Sequence, residues 1–228
     1  MLDKEQLRRN LDEVIWKIEK ARIAVSEHHI VKLVSVGKYT DLANIETLYA
    51  LGQRAFGENQ VQQLEERTEA LESLPLEWHF IGRLQKNKIN KLIDTAPFLL
   101  QSIDSLELAL AIEERLARKG RKMSALLQIN SAEEESKTGV SPDAAYDLYQ
   151  EIVERCSHIR LKGVMSIGAH TREESLIQKS FERTYDIFDR VRSDGAEICS
   201  MGMSGDYELA ISCGSNLVRI GSALFKET

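Results

Sequence analysis

The chain has 228 residues and a formal net charge of −6, and it is 43% hydrophobic and 29% charged. This length and composition suit a globular protein with a full core and exclude a disordered, fibrous or membrane-embedded class. The acidic balance argues against a general affinity for nucleic acid or anionic lipid, because such binding needs a basic face.

Cysteine usage and the first residues indicate the compartment. The three cysteines, Cys156, Cys199 and Cys213, form no CxxC pair, which is typical of a reducing compartment and predicts no structural zinc. The first 20 residues are charged throughout and lack the apolar segment of an export signal. No apolar run approaches the roughly 20 residues of a membrane span. We therefore expect a cytoplasmic protein that binds no nucleic acid, membrane or metal.

The first predicted element is a helix. Leu7, Leu11, Val14, Ile15 and Ile18 recur at spacings of three and four residues, which predicts one apolar stripe along a helix. The remaining positions of this segment are mostly charged. The helix precedes the repeating pattern that follows and is predicted to be an addition to it.

Short apolar runs then alternate with amphipathic stretches. Predicted strands cover residues 31–36, 54–56, 78–81, 98–102, 124–129, 161–167, 198–201 and 217–220. Predicted helices cover residues 41–51, 59–71, 86–93, 105–117, 142–153, 173–191 and 207–211. Strand-then-helix units in series indicate parallel strands, and eight of them predict an α/β protein with a single (β/α)8 TIM barrel. An open doubly wound sheet is the alternative.

Domain organisation follows from the same pattern. The chain has only three prolines and no Gly/Ser-rich linker, so residues 1–228 are predicted to form one domain. Active sites of such barrels lie at the carboxyl ends of the strands. Candidate site residues are therefore those that directly follow the apolar runs.

Lys38 follows the first predicted strand. Its stem is expected to point into the barrel mouth, where a neutral amine can attack a carbonyl carbon and form a Schiff base. The alternative is a solvated lysine that ends a strand.

Two Gly/Ser turns follow the last two strands. Ser204, within the segment 201–208, is a candidate N-cap for the next helix, and Gly221 and Ser222 follow the eighth strand. Barrels often bind phosphate with the loops after strands seven and eight. The two turns predict a phosphate cradle, and the alternative is that they are chosen for turn geometry alone.

Other polar residues end neighbouring strands. Arg219 could pair with a phosphate or an aromatic ring nitrogen, or with a carboxylate inside the barrel. Asn59 could cap its helix and offer an amide to a ligand. His79 is most simply a hydrogen-bonded histidine of the inner barrel, and Glu58 more often complements a helix dipole than acts as a catalytic acid.

The strand ends carry five motifs, which are VSVGK at 34–38, FGEN at 56–59, WHFIGRLQKNK at 78–88, SMGMS at 200–204 and VRIGS at 218–222. In sequence, order and spacing the chain resembles the pyridoxal phosphate homeostasis protein family over nearly its whole length. The resemblance implies a barrel related to the N-terminal domain of alanine racemase. It also implies a pyridoxal 5'-phosphate (PLP) cofactor held as an internal aldimine, with a role in vitamin B6 homeostasis and no established turnover.

The resemblance also assigns roles by matched position. Lys38 would carry the Schiff base, Ser204, Gly221 and Ser222 would hold the phosphate, Arg219 would approach the pyridine nitrogen, and Asn59 and His79 would lie close to the cofactor. Expected partners are PLP, other B6 vitamers and PLP-dependent apoenzymes, and a monomer is expected. The chain departs from the family at Gly37 and Tyr39, where Ser-Lys-Thr is common around the lysine, at Arg83 for a histidine and at Asn216 for a threonine. Tyr39 is expected to alter the entrance to the site.

A PLP-dependent amino-acid racemase is the alternative function. A racemase needs a base on each face of the substrate carbon, and two-domain racemases take the second base from a domain after the barrel. Only residues 223–228 follow Ser222, so no such domain is expected. An arginine at the ring nitrogen also leaves it unprotonated and makes the ring a weaker electron sink. Both arguments favour a carrier that is not an enzyme, with slow side activity left open; a PLP-free metabolite enzyme on the same fold is a third hypothesis.

Overall fold

The computed structural model describes residues 2–38, 40–134 and 138–227. Within these residues, eight parallel strands close into a barrel in which each strand pairs with the next one along the chain and the last pairs with the first. The strands are β1 (Lys32–Val36), β2 (Ala55–Glu58), β3 (Glu77–Phe80), β4 (Leu99–Ile103), β5 (Met123–Ile129), β6 (Ile159–Ser166), β7 (Ile198–Ser200) and β8 (Leu217–Ile220). The predicted (β/α)8 barrel is confirmed.

Helices surround the barrel. They are α1 (Lys4–Val25), α2 (Leu42–Ala50), α3 (Val61–Ala70), α4 (Ile89–Thr95), α5 (Leu106–Lys119), α6 (Pro142–Arg155), α7 (Glu174–Val191) and α8 (Tyr207–Ser212). None of the described helices has both the length and the apolar character that a membrane crossing requires. The single-domain assignment stays a prediction.

The strands are buried on both faces, as parallel strands covered by helices should be. One apolar cluster fills the barrel interior, and a larger one lies between the strands and the surrounding helices. The interior cluster consists of Val34, Ala55, Leu99, Leu126, Met165 and Leu217. The polar mouth described below therefore rests on an apolar layer.

The N-terminal helix α1 packs mainly against α8 and α2. Leu7, Leu11, Val14 and Ile18 are buried as the stripe predicts, but the inclusion of Ile15 in that stripe is wrong, because its residue is 44% exposed. Ile15 lies about 100° around the helix from Val14, so the two cannot share the centre of one face.

Several predicted boundaries differ from the structure. The N-cap of α3 is Gln60, so the predicted cap at Asn59 is wrong, and a short 3-10 turn over Lys86–Lys88 precedes α4. The N-cap of α8 is Asp206, so the predicted cap at Ser204 is also wrong. Ser204 instead accepts hydrogen bonds from the loop after β8, a long-range partner that local cap signals do not register.

Candidate functional site

A cavity of about 860 Å³ opens at the carboxyl ends of the strands. Six of the seven predicted site residues line it, which are Lys38, Asn59, Ser204, Arg219, Gly221 and Ser222. Apolar side chains from several strands and loops complete its walls, among them Val36, Ile81 and Met165. The mouth thus combines an apolar lining with a few convergent polar groups, as small-molecule sites commonly do.

Lys38 is half-buried in the loop between β1 and α2. The loop begins with Gly37, whose N–H donates to the carbonyl of Gly57 on β2 at 3.0 Å and so extends the sheet by one residue. The Thr40 N–H then donates back to the Gly37 carbonyl at 2.9 Å. A tight turn therefore presents Lys38 at the cavity.

A buried ion pair lies behind this turn. Glu58, the last residue of β2, is fully buried and accepts a hydrogen bond from Arg67 on α3. Arg67 Nη1 also donates to the Gly37 carbonyl at 2.7 Å, and Nη2 donates to the Thr40 carbonyl. Burial raises the pKa of Glu58 to about 7, although the charge and hydrogen bond of Arg67 act in the opposite direction. Glu58 is thus the partner of an arginine rather than a complement to a helix dipole.

The neighbouring part of the cavity wall is built from the loops after β7 and β8. Ser204 Oγ accepts hydrogen bonds from the backbone N–H groups of Gly221, at 3.3 Å, and Ala223, at 3.2 Å. Two amides of one loop therefore converge on a single oxygen contributed by the other. Such convergent N–H groups form a partial positive charge that suits an anion.

Arg219 lies at the floor of the cavity and is 4% exposed. Its Nη1 donates to Ser200 Oγ at 2.5 Å and its Nη2 donates to the Ser166 carbonyl at 2.7 Å. Both acceptors are neutral, so these two hydrogen bonds are not the ion pair with a carboxylate that was the alternative prediction. Burial lowers the pKa of Arg219 to about 10, with the charge of Asp206 acting against that change. The guanidinium is still protonated at neutral pH.

His79 does not line the cavity and is 1% exposed. A chain of hydrogen bonds connects it to Arg219, because Ser200 Oγ donates to Gln101 Oε1 at 2.7 Å and Gln101 Nε2 donates to His79 Nδ1 at 2.9 Å. Because Nδ1 accepts the hydrogen bond from Gln101, we infer that the proton of the neutral ring lies on Nε2. Burial, with a smaller contribution from the Lys32 charge, lowers the pKa of His79 to about 3.

Two buried side-chain atoms of the predicted set have no hydrogen-bond partner among the described residues. They are Asn59 Oδ1, on a residue that lines the cavity, and His79 Nε2, below it. Buried polar atoms are normally paired, so an orphan atom beside a cavity indicates a group that a ligand can satisfy. Of these two residues, only Asn59 lines the cavity.

The sequence motifs missed Gln101, Ser166 and Arg67, and they included Ser200 without giving it a role. Gln101 and Ser200 are neutral polar residues within buried strands, and only their inward positions in the strand alternation could have indicated them. Ser166 contributes its backbone carbonyl, which no residue type indicates. Arg67 lies within a helix of mostly polar and charged residues, where it resembles a solvent-facing side chain.

The departures from the family pattern have different locations. Tyr39 lies outside the described residues, and Arg83 is exposed. The Asn216 side chain accepts from the Cys199 N–H at 2.8 Å and donates to the Glu197 carbonyl at 2.7 Å, so it ties down the start of β7, away from the mouth.

Comparisons with known proteins agree with one another. Residues 2–228 match the family model described as "Alanine racemase, N-terminal domain". A pyridoxal phosphate homeostasis protein of Helicobacter pylori is 56% identical over 220 residues, which are 96% of this chain and 98% of that protein.

Solved structures are similar as well. The structure of PipY of Synechococcus elongatus with PLP bound superimposes with a TM-score of 0.78 at 27% identity, covering 92% of this chain and 100% of that one. Alanine racemase of Clostridium difficile shares the fold, with a TM-score of 0.78 at 18% identity, and matches 98% of this chain but 57% of the racemase.

Proposed function

This chain belongs to the pyridoxal phosphate homeostasis protein family, on the fold of the alanine racemase N-terminal domain, and on that premise we propose that it binds PLP and maintains the cellular supply of this cofactor. The family resemblance predicted from the sequence motifs is confirmed by the curated relatives. The name of the Helicobacter relative and the PLP-bound PipY structure support both the cofactor and the homeostatic role.

The residues present fit this cofactor. PLP carries a phosphate, an aldehyde and a pyridine nitrogen, and the cavity offers a Gly/Ser loop, the primary amine of Lys38 and a buried guanidinium. The orphan Oδ1 of Asn59 adds an acceptor for a hydroxyl group of the ligand. Lys38, Asn59, Ser204, Arg219 and Gly221 line one cavity, and this convergence carries the proposal.

Lys38 is proposed to hold the cofactor covalently. Its amine nitrogen would bond to the aldehyde carbon, and the carbonyl oxygen would leave as water with the two amine protons, which yields a Schiff base. Ser204, Gly221 and Ser222 would bind the phosphate through their loops, and Arg219 would face the ring nitrogen. His79 would act through Gln101, Ser200 and Arg219 rather than by contact. These roles rest on matched position and on the cavity lining.

The arrangement favours a carrier over a racemase. When bound, PLP can stabilise negative charge on a substrate carbon, and a protonated ring nitrogen strengthens this effect. Arg219 keeps its own proton at neutral pH and would leave the ring nitrogen unprotonated. Among the described residues that line the cavity, no tyrosine, histidine or carboxylate faces Lys38 as a second base.

The biological setting is part of the proposal. We propose that the protein acts in the cytoplasm as a monomer, exchanges B6 vitamers with its surroundings and delivers PLP to PLP-dependent apoenzymes.

Covalent trapping tests the proposal directly. PLP is added to the protein, borohydride reduces the product, and mass spectrometry locates the modified peptide. We expect one PLP adduct on the peptide that contains Lys38 and none in Lys38→Ala. Modification of a different lysine, or of none, contradicts the assignment.

Isotope exchange tests the absence of turnover. The PLP-loaded protein is incubated with L-alanine in deuterium oxide, and deuterium at the α-carbon and D-alanine are measured by NMR and chiral chromatography. We expect almost no exchange and no D-alanine. Racemisation at about 1 s⁻¹ or faster, the low end of ordinary enzyme turnover, would restore the racemase hypothesis.

A further inference from the structure

We propose that Arg67 and Glu58 position Lys38, by holding the two backbone carbonyls that flank its turn, and so set the rate at which the lysine captures and releases an aldehyde. This inference rests on the proposed function of Lys38 and adds residues that do not line the cavity. We call the two side chains the clamp.

The geometry of the clamp matches the chemistry of a guanidinium. Arg67 Nη1 donates to the Gly37 carbonyl at 2.7 Å, on one side of Lys38, and Nη2 donates to the Thr40 carbonyl, on the other side. Because the guanidinium is planar and its donors have fixed directions, the two carbonyls are held at a fixed separation. A lysine in the same place would offer one rotatable point charge and could not reproduce the fork.

The clamp is anchored to the barrel rather than to the loop. Glu58 ends β2, and its backbone pairs in register with Phe80 of β3. Its side chain is fully buried and pairs with Arg67, whose side chain is only 7% exposed. An unpaired buried charge is costly, so the pair holds the guanidinium at one position. Movement of the turn therefore requires that hydrogen bonds to a fixed cation be broken.

The amide of Gln63 on α3 completes the arrangement. With its nitrogen towards the carboxylate, it donates to Glu58 Oε2 at 3.0 Å and accepts from Arg67 Nη2 at 3.1 Å. Both oxygens of Glu58 and both terminal nitrogens of Arg67 then have partners. A fully satisfied buried network is rigid, which is the property that a positioning device needs.

Gly37 provides the space that the clamp occupies. A Cβ atom at this position would lie 2.6 Å from Arg67 Nη1 and 2.8 Å from Glu58 Oε1. Both distances are too short for a real contact, so any side chain would displace the guanidinium or the carboxylate. Gly37, which departs from the family pattern, is therefore compatible with the clamp, whereas a larger residue at this position is not.

Hydrogen exchange of the cofactor-free protein tests the clamp without any ligand. The variants are Arg67→Lys, which keeps the charge and removes the fork, and Gly37→Ala, which keeps both charges and displaces the guanidinium. The control is Arg118→Lys, whose arginine pairs with Glu114 on the exposed face of α5. We expect the amides of Lys38, Thr40 and Asp41 to exchange about tenfold faster in both variants, the ratio for one lost hydrogen bond to a charged group, with strand amides unchanged.

Capture kinetics test the consequence for Lys38. Stopped-flow absorbance follows Schiff-base formation with PLP and with pyridoxal, which lacks the phosphate. Because the clamp acts on the lysine, Arg67→Lys should slow both reactions by a similar factor of about ten, whereas Arg118→Lys should change neither. A general loss of structure would instead raise the exchange of the strand amides as well.

The outcomes are distinguishable. Unchanged exchange at Lys38, Thr40 and Asp41 in both variants overturns the clamp, as does faster exchange there without any change in capture rate. If the wild-type protein captures no aldehyde at Lys38, the proposed function fails, while the exchange experiment still tests whether Arg67 holds the turn.

Discussion

The two walls of the cavity are stabilised by different kinds of interaction. The wall formed by the loops after β7 and β8 consists of backbone amides and small residues, with Ser204 Oγ at the point where two N–H groups meet. The wall behind Lys38 depends on a buried ion pair between Glu58 and Arg67. Amides can attract an anion while remaining neutral and paired, so the first wall needs no buried charge. The turn that carries Lys38 has backbone hydrogen bonds of its own, and charged side chains from β2 and α3 add further contacts to its carbonyls.

The largest expected effect is the loss of a charge from the second wall. Arg67→Met leaves Glu58 buried without its cation, and we expect the free energy of unfolding, measured by urea titration, to fall by about 3–5 kcal/mol. The exposed pair of Arg118 and Glu114 provides the control, because Arg118→Met should change stability by no more than about 0.5 kcal/mol.

The double variant Glu58→Leu/Arg67→Met sharpens this result. Removal of both charges should recover most of the lost stability, since buried pairs often contribute little net stability over apolar residues. A single variant as stable as the wild type would show that the two walls do not differ in their dependence on buried charge.

Away from the cavity lining, His79 is buried as a neutral ring, in contrast to the charged Arg219 of the cavity floor, and the pH dependence of stability tests that neutrality. Because the pKa of His79 is about 3 in the folded protein and about 6.5 in the unfolded chain, the unfolded chain takes up a proton that the folded protein excludes. Stability should therefore fall as pH falls, by about 2 kcal/mol between pH 7 and pH 5 from this residue.

The measurement compares urea unfolding of wild type and His79→Gln at the two pH values. Glu58 acts in the opposite direction, since its raised pKa makes the folded protein take up the proton, so the difference between the proteins isolates His79. His28→Gln, at an exposed position, is the control. Equal pH dependence in His79→Gln and wild type would mean that the buried ring is already charged.

The contrast between the walls also explains what the sequence could predict. Glycine and serine turns directly follow β7 and β8, where barrels often bind phosphate, so residue types alone were enough to predict Ser204, Gly221 and Ser222 as phosphate-binding residues. The clamp depends on contacts between Arg67 and the Gly37 carbonyl, which are 30 positions apart in the chain. No local pattern distinguishes that arginine from its exposed neighbours on α3.

Fold and site differ in the same way. The barrel follows from eight repeats of one pattern, so errors of one or two residues at strand ends did not affect it. His79 was predicted beside the cofactor by matched position, but its distance from the cavity depends on Gln101 and Ser200 lying between it and Arg219. Their inward orientation becomes visible only once strand register is known.

A smaller effect is expected in the first wall. Ser204→Ala removes the oxygen on which the Gly221 and Ala223 amides converge, and we expect PLP to bind more weakly by about 1–2 kcal/mol in an absorbance titration. The affinity for pyridoxal, which carries no phosphate, should stay the same. An equal loss for both vitamers would mean that this wall does not recognise the phosphate.

The smallest effect is expected at Gly205, which follows Gly202 by three residues. At Gly202, by contrast, the backbone tolerates no side chain. Gly202 has a φ of +92°, and a Cβ there would lie 2.8 Å from Tyr207 Cα, so Gly202→Ala should destabilise the protein by about 1–3 kcal/mol. Gly205, in the same loop, is exposed and has no heavy atom within 4 Å of its Cβ position. Gly205→Ala should therefore change the free energy of unfolding by at most about 0.5 kcal/mol and leave the PLP affinity as it is. If PLP binding by the first wall depends on the two amides and not on the mobility of the loop, Gly205→Ala should leave the affinity unchanged. A loss of affinity in Gly205→Ala as large as that in Ser204→Ala would show that loop mobility, and not the amides, controls binding there.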